Sequence, residues 1–136
     1  MPIYYADASA LVKLVRAEAE SNALHAYIEG ADLVSSELVL AEIPRAAQRA
    51  AARDRHQVGR LLKRAAEVID ALGLRALDQH LLAAAGALAE PALRTLDAIH
   101  LVTAVDLHPI DSFVTYDVRQ AAAARLAGLR TVAPGT

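Results

Sequence analysis

Four acidic residues of the 136-residue chain lie in apolar sequence surroundings, where an unpaired charge is costly. Asp7 directly follows the β-branched and aromatic run "IYYA", and Asp117 ends "FVTYD". Glu42 lies in "LVLAEI" and Asp97 in "LDAIHLVTA". Like charges in one crevice raise each other's pKa unless a cation is bound, and all-oxygen ligation suits Mg²⁺ or Mn²⁺. If the fold brings them together, these acids predict a divalent-metal site.

Each acid also has a purely structural explanation. Asp97 can be an N-terminal helix acid stabilised by the macrodipole, and Asp7 and Asp117 can be turn or cap residues. Glu42 can form a salt bridge to Arg45 one turn further on. These explanations stay open at the level of single residues, and only the combination of four acids favours a shared site.

The sequence lacks the residues and motifs that several other kinds of active site require. The chain has no cysteine, its six glycines form neither a P-loop nor a GxGxxG turn, and no GxSxG elbow occurs. Its five histidines show no HExxH spacing; His100 follows Asp97 by one turn and can line the site, but a packed or surface histidine is the more ordinary interpretation. Ser9 stands where a phosphoaspartyl phosphatase has its second acid, and "FVTYDVRQ" lacks the lysine of a receiver domain.

The elements that must position these acids alternate between strand and helix, which predicts an α/β fold with a parallel sheet covered on both faces. We find no repeat and no linker, so we expect one domain over residues 1–136. Ser35 or Ser36 is expected to cap the helix that starts at about residue 36, Pro44 to kink or break that helix, and Asp78 to cap a later one. The predicted order is strand 3–6, helix 8–28, strand 33–34, helix from about 36, basic helix to about 70, weak strand 73–77, helix from 79, helix 93–107, strand 113–116, helix 118–127 and a final strand over "RTVAP", residues 130–134.

Basic residues are concentrated between positions 45 and 64, although the net charge is only −2. This basic segment carries seven of the 14 lysines and arginines against one acid, Asp54: Arg45, Arg49, Arg53, Arg55, Arg60, Lys63 and Arg64. It is either a solvated helix face or a strip that faces nucleic-acid phosphates. Since we find no leader and no apolar run of about 20 residues, we expect a soluble, cytoplasmic protein.

Four stretches, "YADASALVKL", "SSELVLAEIPRA", "LRTLDAIHLVTAVDL" and "FVTYDVRQAAAARLAGLRTVAP", occur in this order along essentially the whole chain. In this arrangement the chain resembles a PIN-domain ribonuclease of the VapC toxin type. The resemblance implies a three-layer α/β/α sandwich with strand order 3-2-1-4-5. It also implies that Asp7, Glu42, Asp97 and Asp117 are the catalytic, metal-binding acids, and that Ser9 and Thr115 orient carboxylates or water. One departure is Pro44, which can alter the aim of Glu42.

The function that the resemblance implies is hydrolysis of RNA by a Mg²⁺- or Mn²⁺-dependent endoribonuclease toxin, leaving a 5′-phosphate and a 3′-hydroxyl. It further implies a homodimer and a VapB-type antitoxin that covers the acidic crevice, and it favours Arg45, Arg49 and Arg53 as RNA-binding residues. Two alternatives remain: another metal-dependent phosphoesterase or DNA nuclease, and a binding module that performs no reaction.

Overall fold

Strands and helices alternate along the chain in a computed structural model that describes residues 1–136. The five strands are β1 (Ile3–Ala6), β2 (Asp32–Ser36), β3 (Gly73–Arg75), β4 (Ser112–Val114) and β5 (Thr131–Val132). The seven helices are α1 (Ala8–Val15), α2 (Ser21–Ile28), α3 (Val39–Ala50), α4 (Val58–Asp70), α5 (Gln79–Ala87), α6 (Thr95–Asp106) and α7 (Val118–Leu126). A 3₁₀ turn, Arg55–Gln57, precedes α4.

The strands form one parallel sheet in the order β3-β2-β1-β4-β5, which confirms the predicted α/β fold and strand order. Successive side chains of β1 point to opposite faces: Ala6 packs with α1, α3 and α4, and Tyr5 packs with α6 and α7. Each face of the sheet therefore packs against its own helical layer through an apolar core. Strand order reverses between β1 and β4, and in such sheets ligands bind beyond the carboxyl ends of the strands at this point.

The single helix predicted for residues 8–28 is wrong, because the chain leaves the helix at Arg16 and starts again at Ser21. The Ser21 hydroxyl donates to the carbonyl of Lys13 at 2.7 Å and accepts from the amide of Glu18 at 2.9 Å. These side-chain bonds replace the helical ladder across the break. The Lys13 ammonium also contacts Glu18 and Glu20, at 3.0 and 2.9 Å.

The kink or break expected at Pro44 is not a break, since α3 continues through the proline to Ala50. Proline removes one backbone donor from the helix, but the apolar side chains of Val39, Ile43 and Ala47 bury the same face of α3 in the core. The basic helix breaks after α3 instead, over residues 51–57, before α4 begins.

The predicted serine cap of α3 is not formed. The helix begins at Val39, and the Ser36 hydroxyl accepts from the amide of Leu38 in the turn before it. The Ser35 hydroxyl donates to the carbonyl of Ala6, linking β2 to β1. In contrast, Asp78 does cap α5, accepting from the amide of Leu81 at 2.8 Å.

None of the seven helices has the length and apolar character of a membrane span; the longest, α4, has 13 residues.

Candidate active site

Asp7 is a buried carboxylate at the junction of β1 and α1, with only 2% of its surface exposed. One oxygen accepts from the Ser9 hydroxyl at 2.6 Å and from the Ala10 amide at 3.2 Å. The other accepts from the Thr115 hydroxyl at 2.6 Å. Burial raises the pKa of Asp7, and the two hydroxyl donors oppose that rise. The carboxylate caps α1, and its position is fixed from both sides.

The hydroxyls of Ser9 and Thr115 connect the ends of β1 and β4. Besides its bond to Asp7, the Ser9 oxygen accepts from the amide of Tyr116 at 2.9 Å and lies 3.2 Å from the Thr115 hydroxyl. Thr115 in turn accepts from the amide of Asp117 at 3.1 Å. The two small hydroxyl residues therefore hold the segment that carries Asp117 against the start of α1.

Asp117 caps α7 with one oxygen, which accepts from the amides of Arg119 and Gln120 at 2.9 and 3.1 Å. The other carboxylate oxygen makes no hydrogen bond to the protein. The capping interpretation of this residue is thus correct, and the cap still leaves one oxygen for a ligand.

Asp97 lies in the first turn of α6 with 26% of its side chain exposed. Its pKa is raised, first by burial and then by the negative charges of Asp117 and Glu42, while Arg94 and His100 act in the opposite direction. The Arg94 contact is loose, at 3.9 Å. Asp97 therefore lies within the electrostatic field of two of the other acids, although they come from distant parts of the sequence.

The backbone of Asp97 is fixed from α7. The Gln120 side-chain amide, which is fully buried, donates to the Asp97 carbonyl at 2.9 Å. Its own oxygen is buried without a hydrogen-bond partner. This contact sets the first turn of α6 against the first turn of α7, and thus Asp97 against Asp117.

Glu42 lies in the first turn of α3, with 16% of its side chain exposed. The salt bridge to Arg45 that would explain it structurally is not formed. Its Oε1 lies 2.6 Å from Nε2 of His100, and the other oxygen makes no hydrogen bond to the protein.

His100 is the residue of this site whose role the sequence did not assign. It is 1% exposed and lies near enough to Asp7 and Asp97 to influence the pKa of both carboxyl groups. On the side away from Glu42, its Nδ1 lies 2.7 Å from the Tyr5 hydroxyl. The available signal was its spacing, one turn beyond Asp97, but the contact with Glu42 spans 58 positions and depends on the fold.

The chemistry of these donors fits a hard divalent cation, since all four acids supply oxygens and Asp97 is destabilised by its acidic neighbours. As the side chains stand, no three histidine, aspartate or glutamate residues are placed to hold one ion together. Mg²⁺ usually keeps several waters and binds through one or two carboxylates, so a complete protein cage is not required.

A groove of about 480 Å³ runs beside Glu42 between α1 and α3. Ser9 and Leu96 contribute to its walls, and Arg45 and Arg49 line its α3 side. Both arginines are exposed and have no carboxylate or amide partner, as does Arg53 just beyond α3. Three later arginines of the basic segment differ, because Arg55, Arg60 and Arg64 are paired with Gln48, Gln57 and Glu67.

A larger cavity, of about 550 Å³, lies at the opposite ends of the strands, beside Ile3, Asp32 and Gly73. It contains none of the four acids. The concave surface that carries the candidate chemistry is therefore the smaller groove and the acidic crevice next to it.

Comparison with known proteins gives matches along nearly the whole chain. The family model of the PIN domain matches residues 4–126. Ribonuclease VapC46 of Mycobacterium tuberculosis is 40% identical over 136 residues, covering 98% of this chain and 99% of the relative. Ribonucleases VapC35 and VapC47 of the same species are 36% and 33% identical, each covering 96% of both chains.

Among solved structures, the crystal structure of PAE2754 from Pyrobaculum aerophilum superposes with a TM-score of 0.66. The match covers 96% of this chain and 84% of that one, at 20% sequence identity. At this identity the likeness concerns the fold alone.

Proposed function

The chain belongs to the PIN-domain family and, within it, to the VapC ribonucleases, and on that premise we propose that it is a metal-dependent endoribonuclease acting as the toxin of a toxin–antitoxin pair. The observation that carries the proposal is the hydrogen-bonded network that joins Asp7 to the Asp117 segment through Ser9 and Thr115, with Asp97 near enough for the charges of Asp117 and Glu42 to raise its pKa. Acids so placed at the carboxyl ends of parallel strands favour a bound cation. The catalytic unit we propose is residues 1–136 as one domain.

We propose that Asp7, Glu42, Asp97 and Asp117 hold one or two Mg²⁺ or Mn²⁺ ions. When bound, the ion supplies a Lewis acid that activates water for attack on phosphorus and offsets the charge of the transition state. Asp117 and Glu42 each have an oxygen with no protein partner, which suits direct ligation. Asp7 is held by three donors, so it provides a carboxylate whose position does not change during the reaction.

The roles of the remaining residues follow from their contacts. Ser9 and Thr115 keep Asp7 and the Asp117 segment in register by donating and accepting at the same crevice. Attack by water needs no 2′-hydroxyl nucleophile, so we expect a 5′-phosphate and a 3′-hydroxyl as products. Binding of RNA falls to Arg45, Arg49 and Arg53, whose unpaired guanidinium groups can contact phosphates; the first two line the groove and Arg53 lies just beyond α3.

The partners that we propose follow from the family. A VapB-type antitoxin would close the crevice with a basic side chain, which competes with the cation for the same carboxylates. We further propose that the protein is a homodimer. We also propose that it acts in the cytoplasm, where it would meet its RNA substrate.

The substitution Asp117→Asn tests the proposal. Asparagine is as good an N-cap as aspartate, so α7 keeps its cap while the site loses one anionic ligand. Even a residue that only supports a ligand costs about 10–100-fold when removed, so we expect Mn²⁺-dependent RNA cleavage to fall by at least about 100-fold.

The matched control is Asp70→Asn, which removes the same charge elsewhere. Asp70 is exposed at the end of α4, and its side chain makes no hydrogen bond. It should keep the wild-type rate. Undiminished cleavage by the Asp117 variant would contradict the proposed site. Parallel assays with DNA and a phosphomonoester separate the other phosphoesterases, and a lack of turnover on all three substrates would favour a binding module.

A further inference from the structure

One hydrogen bond of the acidic site joins the two helical layers across the end of the sheet. Glu42 is on α3, which packs with α1 and α4 on one face, and His100 is on α6, which packs with α5 and α7 on the other. Their side chains meet at 2.6 Å, with His100 buried and Glu42 mostly buried. Because the layers are otherwise separated by the strands, this contact fixes the position of Glu42 relative to Asp97 on α6.

The proton arrangement of this contact follows from the donors and acceptors present. A carboxylate can only accept, so Nε2 of His100 carries the hydrogen that lies between them. On the other side of the ring, the Tyr5 hydroxyl lies 2.7 Å from Nδ1. Burial raises the pKa of Tyr5 far above its usual range, so this hydroxyl keeps its proton. A chain of hydrogen bonds thus runs from Tyr5 through the imidazole to Glu42.

The aromatic core holds this chain in place. Tyr5 stacks on Phe113 with ring centroids 5.2 Å apart, and the His100 ring meets Tyr5 edge-on at 5.9 Å. All three side chains are at most 1% exposed. They belong to the central strands and to α6, so the orientation of the imidazole depends on the most deeply packed part of the molecule.

We propose that His100 is a positioning residue that, oriented by Tyr5, donates a hydrogen bond to one oxygen of Glu42 and leaves the other oxygen aimed at the carboxylate cluster as a metal ligand. A single ring N–H orients the carboxylate through one oxygen and leaves the other free, whereas a guanidinium can contact both oxygens and would compete with the cation. The unused Arg45, one turn from Glu42 but unpaired with it, is consistent with this choice of partner. The inference rests on the proposed metal-dependent function.

Binding of Mn²⁺, followed through the loss of the free-ion EPR signal, tests the proposal without relying on catalysis. His100→Asn removes the donor at the Nε2 position, and we expect the dissociation constant for Mn²⁺ to rise by about 10-fold or more. His100→Gln puts an amide N–H near that position and should recover most of the affinity. Combined with Glu42→Ala, the His100→Asn change should weaken binding no further, because its effect passes through Glu42.

The outcomes separate the possibilities. An equal loss of affinity with and without Glu42 would show that His100 is only a core residue and would overturn the inference alone. If the wild-type protein binds no Mn²⁺, the inference fails together with the proposed function. Urea midpoints of each variant show whether the fold is retained.

A measurement on the unaltered protein covers the case in which the histidine variants do not fold. Long-range ¹H–¹⁵N correlations of the His100 ring should show a proton on Nε2, the nitrogen that faces Glu42. In Tyr5→Phe, which keeps the stack on Phe113, the proton should no longer be confined to one arrangement of the ring. An unprotonated Nε2 in the wild-type protein would overturn the proposed hydrogen bond to Glu42.

Discussion

At the scale of single residues, the acids of the site serve the fold and the candidate chemistry together. Asp7 and Asp117 are both helix caps, as the structural explanation of each requires, and both lie at the crevice that the metal hypothesis requires. Their positions could be predicted because a carboxylate at a strand end is visible in the sequence. The neighbour of Glu42 could not be predicted, because the sequence offers Arg45 one turn away and the fold supplies His100 instead.

The raised pKa of Asp97 has a consequence for stability. The pKa of Asp97 is higher in the folded state than in the unfolded state. The folded state is therefore most favoured when this carboxyl is protonated, and it loses stability as the pH rises through the folded-state pKa. We therefore expect Asp97→Asn to raise the urea midpoint at pH 7 in EDTA. The gain should shrink as the pH falls towards 3.8, the ordinary value of this carboxyl.

Asp78 provides a control of opposite sign. Its pKa is lowered, first by the Leu81 amide that it caps and then by Arg75, so its stabilising effect is present at neutral pH and is lost in acid. Asp78→Asn keeps the cap but loses the charge that interacts with Arg75, so it should lower the midpoint at pH 7. A destabilised Asp97→Asn protein at pH 7 would show that its neighbours do not strain this carboxylate.

At the scale of elements, periodicity predicted the alternation of strands and helices, and side-chain contacts set where helices end. The break after α1 depends on the Ser21 hydroxyl reaching the Lys13 carbonyl, eight positions back. The presence of a serine within a helical sequence pattern does not predict such a bond. Likewise, α3 continues through Pro44 because its buried face holds it in place, which a rule about proline alone does not include.

The fold divides the basic segment into two parts. Only the first part lies at the groove, which Arg45 and Arg49 line. If Arg49 and Arg53 bind phosphates, replacing both by alanine should weaken RNA binding equally for all sequences. The slope of log affinity against log salt should become shallower by about 0.7 for each phosphate that is no longer neutralised, or about 1.4 for the pair. Fluorescence anisotropy with labelled single-stranded RNA at several salt concentrations measures this slope.

The matched double variant, Arg125→Ala with Arg130→Ala, removes two charges from the region between α7 and β5, away from the groove. It should leave the slope unchanged. If the Arg49 and Arg53 variant has the same slope as the wild-type protein, the basic segment is a solvated face.

At the scale of the whole molecule, sequence periodicity predicted a covered parallel sheet, whereas the strand order came from the resemblance to PIN-domain proteins. Both predictions are confirmed, the order by the sheet itself and the resemblance by relatives matched over nearly the full chain. Periodicity could not supply the order, because short strands of similar composition can pair in many ways. The order places β1 beside β4, and so it brings Asp7 and the Asp117 segment to one crevice.

The most direct measurement of the central claim is cleavage of RNA by the purified chain with Mn²⁺ or Mg²⁺ and with EDTA, followed by analysis of the new ends. We predict cleavage that requires the metal and leaves 5′-phosphate and 3′-hydroxyl ends. Cleavage that persists in EDTA, or that leaves 5′-hydroxyl and cyclic phosphate ends, would contradict it.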